Sequence, residues 1–436
     1  MTLRMPLVRP PLPPRPSSAS ANQQSTEVPT LKACPRPSFV EGHNDWLQVV
    51  SPKTIPNFDI CPDCYNTSFR NTRYGSLMRV GPAKPAGLPC ACDFSMAWIR
   101  LAYLWLYQQN QADLSLLGAV AGIQPDKDGI CPNLNLQDAQ VKQGGKPSVT
   151  RTWYCVRDPQ TGAPVEELTA CSHCVSHVST IFPCLSNIFV PVENGQKLLA
   201  TCDLMSLGDA QQRGLEYLDQ IAKTADSTVK TKTRDLGSLV EYIRKWGPVS
   251  VCRKGKGVWN ERQYSLPSTV PEFTACEECY QKHIFPLYSQ SPRPAILSHI
   301  QAEGPKEGGF LCDLFSPRLQ GYFNDAVRTN DLGTFRQKLM ARNEKMREVD
   351  MQLVRMMQEC KQLKMQGNAH MSQMRISQMQ AVSASTRMLA TGWYGPPIDW
   401  TMTNAQMAKA NEKNMEAAII EDKMTALKNE WAQFWM

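Results

Sequence analysis

No stretch of this chain is long and apolar enough to cross a bilayer. The longest apolar run, Phe94 to Tyr107, is interrupted by Arg100 and falls short of the roughly 20 residues that a spanning helix needs. The N-terminus offers no apolar leader either. Met1 to Ser20 is proline-rich and carries Arg4, Arg9 and Arg15, unlike a secretory signal peptide, and its prolines break the amphipathic helix of a mitochondrial presequence. The expected location is intracellular, cytoplasmic or nuclear, where thiols stay reduced. Catalytic signatures are missing too: there is no His-Glu-x-x-His, no Gly-x-Ser-x-Gly and no Rossmann glycine fingerprint. Gly144-Gly145-Lys146-Pro147-Ser148 fails as a phosphate loop, because Pro147 takes the hydroxyl position after the lysine. Cys155 and Cys184 have no His and Asn partners beside them for nucleophilic chemistry. Charge of one sign is also scarce. A net charge of +7 spread along 436 residues is a faint signature for a dedicated nucleic-acid binder.

Cysteine, in contrast, is plentiful and ordered. Of the 16 cysteines, three Cys-x-x-Cys pairs recur at near-equal intervals: Cys61/Cys64, Cys171/Cys174 and Cys276/Cys279. A Cys-Asp follows each pair, at Cys92-Asp93, Cys202-Asp203 and Cys312-Asp313, after 28, 28 and 33 residues. A tryptophan precedes each (Trp46, Trp153, Trp259), and a single cysteine precedes each tryptophan: Cys34, Cys131 and Cys252. Zinc takes four thiolate or imidazole ligands in a tetrahedron, and a Cys-x-x-Cys turn presents two of them. The expected sets are Cys34/Cys61/Cys64/Cys92, Cys131/Cys171/Cys174/Cys202 and Cys252/Cys276/Cys279/Cys312, holding about three structural Zn2+ ions. The first member of each set is the least constrained, since its spacing to the tryptophan runs from 7 to 22. Cys90, Cys184, His173, His177 or His283 could stand in for it. A disulfide framework is the alternative reading of an even cysteine count, and the reducing compartment argues against it.

Helical signals follow the cysteines. Phe94 to Tyr107 has no polar face except Arg100 and reads as a helix sunk in a core; Leu207, Leu215, Leu218 and Ile221 mark its counterpart in the second copy. Each Cys-Asp is therefore expected to open a helix, with the Asp in the first turn and the thiolate favoured by the free amides. Knuckle plus helix-start cysteine resembles a treble-clef arrangement of zinc ligands, over about 30 residues per unit. Asp113, Asp235 and Asp331 read as caps of a second helix. In the third copy this helix runs on from Thr334 toward Leu389, with Met346, Val349, Leu353, Met356, Cys360 and Leu363 forming an a/d stripe. After Gly392 to Pro397 a further helix, Met402 to Phe434, carries Ile420, Met424, Leu427, Trp431 and Phe434 at the same spacing. Fifteen of the 20 methionines lie at or beyond Met340, a surface that adapts to partners.

Phe273-Thr274-Ala275-Cys276-Glu277-Glu278-Cys279-Tyr280, and the shorter Cys61-Pro62-Asp63-Cys64-Tyr65, resemble a signature of uncharacterised filamentous-fungal cysteine-rich proteins. The resemblance implies a recurrent unit and no particular function, and the second copy departs from it by placing Val175 where the tyrosine would be.

The resulting expectation is an α+β chain: a proline-rich disordered tail (1–30), three tandem zinc-stabilised treble-clef-like modules (31–123, 124–247, 248–335), and a Met-rich arm (336–436), a helical hairpin or coiled coil. The modules are expected to fold without the arm. The expected role is a zinc-binding scaffold or adaptor, with protein partners taken up by the C-terminal helices and an SH3 domain by Pro10-Pro11-Leu12-Pro13-Pro14-Arg15. One rival is a nucleic-acid-associated regulator, using Arg253-Lys254-Gly255-Lys256 and Lys230 to Arg234 as contacts and Trp259 for stacking. Another is an enzyme with an open metal position.

Overall fold

The computed structural model describes residues 29, 31–85, 87–135, 141, 146–205, 211–305, 308–391 and 400–435. The SH3-ligand motif at Pro10 to Arg15 and the turn at Gly392 to Pro397 lie outside them. The chain forms two compact units, Met1–Gly247 and Pro248–Met436.

In the first unit, strands β1 (Leu47–Val49) and β2 (Met78–Val80) pair antiparallel. A larger sheet centres on β3 (Val149–Arg157), which pairs antiparallel with β4 (Pro164–Cys171), β5 (Phe189–Pro191) and β6 (Lys197–Ala200). Helix α1 (Ala97–Gln108) lies between the two cysteine regions. Apolar around nearly its whole circumference, it buries two faces. Tyr103 packs on Phe69 and Phe94, with ring centroids 4.5 and 5.3 Å away. On the other face, Trp98 stacks on His177 and Trp105 meets Phe182 edge-on, both at 4.9 Å. His177 and Phe182 belong to and cap α3 (Ser172–Ile181). One contiguous core therefore serves the first two cysteine groups. Arg100, the one charge on α1, turns its guanidinium onto the carbonyls of Phe94 and Lys32, so its donors are satisfied at the edge of the core.

The second helices open beside their Asp residues, although the cap positions of the first two are Leu114 and Leu236, one residue further on. Ser115 N donates to Asp113 Oδ1 at α2 (Ser115–Ala121), and Gly237 N donates to Asp235 Oδ1 at α5 (Gly237–Trp246), both at 2.8 Å. Helix α4 (Gln211–Thr231) buries Leu218 and Ile221 but leaves Leu215 about half exposed, contrary to expectation, because the buried stripe runs through Gly214, Tyr217 and Leu218 instead. Leu207 lies outside the described residues.

The second unit holds a three-stranded sheet, with β7 (Gln263–Leu266) between β8 (Val270–Cys276) and β9 (Gln301–Glu303). Helix α6 (Pro317–Thr329) is capped by Ser316, whose Oγ accepts from Leu319 N, and ends on Asn330 in the left-handed region at φ 54°. The next helix, α7 (Leu332–Thr391), is capped by Asp331, which accepts from Thr334 N at 2.9 Å. Its first turns complete the core: Phe335 closes a triad with Phe273 and Phe323, centroids 5.6 to 5.8 Å apart, and Leu339 is fully buried behind it. The expected boundary at 335/336 thus falls inside a continuous helix that belongs both to the core and to the arm.

Beyond Arg342, α7 packs antiparallel on α8 (Thr401–Trp435). At 1.5 Å per residue they reach about 90 and 50 Å. Cys360 Sγ lies 3.8 Å from Ala417 O, Lys364 pairs with Glu421 at 2.6 Å, and His370 Nδ1 is 2.8 Å from Gln406 Oε1. The heptad stripe of α7 faces α8 around Cys360, with Val349 and Cys360 buried and Met356, Leu363 and Met424 packed against Cys360, Ala417 and Ile420. Phe434 departs from the expected stripe. Its ring is half exposed and lies under the guanidinium of Arg318 at 3.8 Å.

Candidate metal centres

The structure gathers the twelve cysteines into three groups of four, Cys34/Cys61/Cys64/Cys92, Cys131/Cys171/Cys174/Cys202 and Cys252/Cys276/Cys279/Cys312. Within each group all sulfurs lie within 4.8 Å of one another. A tetrahedron with zinc–sulfur bonds of about 2.3 Å has edges of about 3.8 Å. Cys34 and Cys61 stand 3.9 Å apart and Cys174 and Cys202 3.6 Å, close to that edge and far beyond a disulfide bond. All sixteen cysteines are free thiols. Cys90, Cys184, His173, His177 and His283 belong to none of the groups. Cys90 and Cys184 direct their thiols at the carbonyls of Leu88 and Ala225. His177 is sealed against Trp98, and burial pushes its pKa down to about 4.

Local structure explains how each group closes. Cys171 and Cys276 end strands β4 and β8, so the following turn folds the second knuckle sulfur back beside the first. Amides then point at sulfur: Cys61 N donates to Cys92 Sγ at 3.3 Å, Cys276 N to Cys312 Sγ at 3.4 Å, Arg36 N to Cys34 Sγ at 3.3 Å and Lys254 N to Cys252 Sγ at 3.4 Å. Such donors favour the thiolate. One sulfur of each group is favoured as the anion, and chiefly by its neighbouring thiols rather than by these amides. Hydrogen bonds from the other thiols, led by Cys64, hold Cys92 down to about 6, and Cys202 and Cys252 are lowered in the same way. Burial works against a second charge, raising Cys61 to about 11 and Cys174 well above its usual range. Without a cation a group holds one negative charge comfortably; four thiolates at one point require a metal to offset them.

The Asp after the last cysteine has a role that the helix-start reading missed. Asp93 and Asp313 open one-turn 3-10 helices, and α1 and α6 begin only at Ala97 and Pro317. The carboxylates turn back to the knuckle instead. Asp93 Oδ2 accepts from Asp59 N at 2.6 Å, Asp203 Oδ2 from Thr169 N at 2.8 Å and Asp313 Oδ2 from Thr274 N at 2.9 Å. Each of these amides lies two residues before the first knuckle cysteine, so the same clasp joins the two halves of every group. A cation sits at each clasp: Lys84 on Asp59, Lys146 on Asp203 and Arg342 on Asp313.

The tryptophan pattern needs one correction. Trp46 and Trp153 are buried, and Trp153 faces Cys171 across β3 and β4. The residue facing Cys276 is Gln263, also buried, while Trp259 lies four residues upstream and is 55% exposed. Identity of residue type suggested an equivalence that strand register does not support.

Comparison with known protein families, with curated proteins and with solved structures finds no match to this chain. Three buried four-cysteine groups compatible with structural metal binding are therefore the functional feature that stands on geometry alone.

Proposed function

We propose that each four-cysteine group holds one structural Zn2+ and that the chain is an intracellular scaffold or adaptor whose Met-rich arm takes up protein partners. The carrying observation is that every group already supplies four sulfurs, eleven of the twelve cysteines being buried. A tetrahedral ion so held has no coordination position left for water or substrate, and its binding free energy becomes folding free energy. The arm supports the adaptor reading through Met351, Met357, Met365, Met379 and Met415, each more than half exposed on α7 and α8. Thioether side chains of this kind repack readily against varied partners.

The test is elemental analysis of the purified chain together with partner capture. Three zinc ions per chain, falling to two in Cys276→Ser and also reduced in Cys61→Ser and Cys171→Ser, whose groups share one core, support the metal reading; under one zinc per chain, or cysteines found oxidised in pairs, sinks it. Partners that bind the full chain and not one with polar residues at the five exposed methionines support the adaptor reading.

A further inference from the structure

Trp259 contributes little to the core of its unit, yet it is held in a defined place. A Cβ on Gly257 would collide with its six-membered ring, and one on Gly309 would come within 2.7 Å of Nε1. The indole thus lies against two glycine backbones that leave room for it, with 55% of the residue exposed. Gly309 has φ +64°, so a side chain there is disfavoured twice. Immediately upstream runs Arg253-Lys254-Gly255-Lys256, exposed along its length. This turn is not loose: Lys254 N donates to Cys252 Sγ, and Lys254 itself takes the left-handed conformation at φ 48°. Glu261 approaches Arg253 at 3.6 Å, and Arg262 reaches Glu277 at 4.0 Å. From Arg253 to Arg262 the loop carries four cationic residues and one acid.

We propose that this loop binds single-stranded nucleic acid, a base stacking on the exposed indole of Trp259 while Arg253, Lys254 and Lys256 neutralise the adjoining phosphates. A half-exposed indole beside clustered cations matches the two chemical parts of a nucleotide. A duplex would hide its base faces, which is why the ligand is single-stranded. A peptide is the poorer match, because the ring rests on glycines and its exposed neighbours in the chain, Lys256 and Asn260, are polar. One aromatic and three cations make a weak, salt-sensitive, sequence-tolerant contact. The inference goes beyond the scaffold reading and leans on it in one respect: the turn is anchored on Cys252.

The experiment uses the full, zinc-loaded chain and a fluorescein-labelled uridine-rich RNA of about 12 nucleotides at about 50 mM salt. Saturable binding that weakens as salt is raised is expected. Trp259→Ala should weaken it on the order of tenfold, Trp259→Phe much less, and Lys254→Glu with Lys256→Glu should lower both the affinity and its salt slope. Zinc content measured on the same preparations reports on the metal reading separately. The proposal is overturned by absence of binding in a zinc-replete sample, by affinity that Trp259→Ala leaves unchanged, or by a site at Trp259 that takes an acidic or proline-rich peptide and not RNA.

Discussion

The guanidinium of Arg342 lies 3.3 Å from the carboxylate of Asp313, with both side chains at most 5% exposed. Asp313 follows Cys312 and clasps Thr274 N, whereas Arg342 stands on α7, under the ring of Trp431 from α8 at 5.8 Å. A single buried ion pair therefore links the third cysteine group to both helices of the arm. Removing one partner of such a pair leaves the other charge buried alone, at about 3 to 5 kcal/mol. Arg342→Met should lower the stability of this unit by that order and weaken the zinc binding proposed for the third group, because the Asp313 clasp that joins the two halves of that group loses its cation. Competition with a chromophoric chelator measures the second effect; zinc held as tightly as in the parent chain would show that the pair does not support the site.

Where the arm begins can be tested by shortening the chain. Phe335, Leu339 and Arg342 are buried in or beside the third core, so a chain ending at Asn330 loses them all. It should lose the zinc proposed for its third group and expose Phe273 and Phe323 to aggregation. A chain ending at Asp350 keeps these residues and should retain three zinc ions. If the shorter chain also retains three, the first turns of α7 are dispensable to the core.

How far the sequence revealed this organisation depends on what each signal can encode. The knuckles and the Cys-Asp pairs repeat at steady spacing, so the membership of most of each group was legible. The variable spacing of Cys34, Cys131 and Cys252 left their place open, because loops of different length can deliver a sulfur to the same point. Periodicity showed that α7 is helical from Thr334 onward but could not show what its stripe faces. Phe335 and Leu339 continue the same 3-4 spacing as Val349 and Cys360, yet the former pair meets a sheet and the latter a helix. Similarly, the apolar circumference of α1 announced burial without naming its second neighbour, the helix bearing His177. The clasp by Asp93, Asp203 and Asp313 was invisible because each carboxylate and the amide it accepts from are 34 to 39 residues apart in the chain and meet only through the fold. Trp259 misled because residue type carries no strand register.

Trp98 offers a test of the shared core in the first unit. It is 4% exposed and joins α1 to His177, and Trp105 joins the same helix to Phe182. Trp98→Ala should cost about 3 to 5 kcal/mol. Since one core serves both groups, thermal unfolding should release the first two zinc ions together, at a lower temperature than in the parent. Two separate release steps would mean that the groups are independently stable.

His177 predicts a pH dependence. Its folded pKa of about 4 lies below the ordinary value near 6.5, because burial against Trp98 disfavours the imidazolium. The unfolded chain therefore binds more protons between these values, and stability is complete above about 6.5 and falls as pH drops toward 4, by at most about 1.4 kcal/mol per pH unit. His177→Gln removes this titration. Denaturant unfolding of the first unit with zinc in excess, compared between pH 7 and pH 5.5, should show a smaller loss in the variant than in the parent; equal losses would place the sensitivity elsewhere.

The two helices of the arm run antiparallel, and Cys360 reports on that direction. Cys360 is 7% exposed and sits against Ala417, and α8 contains no cysteine. In this antiparallel hairpin, two copies of Cys360 from different chains have no reason to meet. A parallel dimer of α7, in contrast, would bring them face to face across its seam within disulfide range. Mild oxidation of the zinc-loaded chain should therefore give no dimer linked through Cys360. Placing a second thiol opposite it, by Ala417→Cys, should instead give a cross-link within one chain, seen as a faster-migrating monomer on a non-reducing gel. A covalent dimer mapped to Cys360 in good yield would show that the two helices separate to pair with another copy, and that the seam of Cys360, Ile420 and Met424 is not the resting state of the arm.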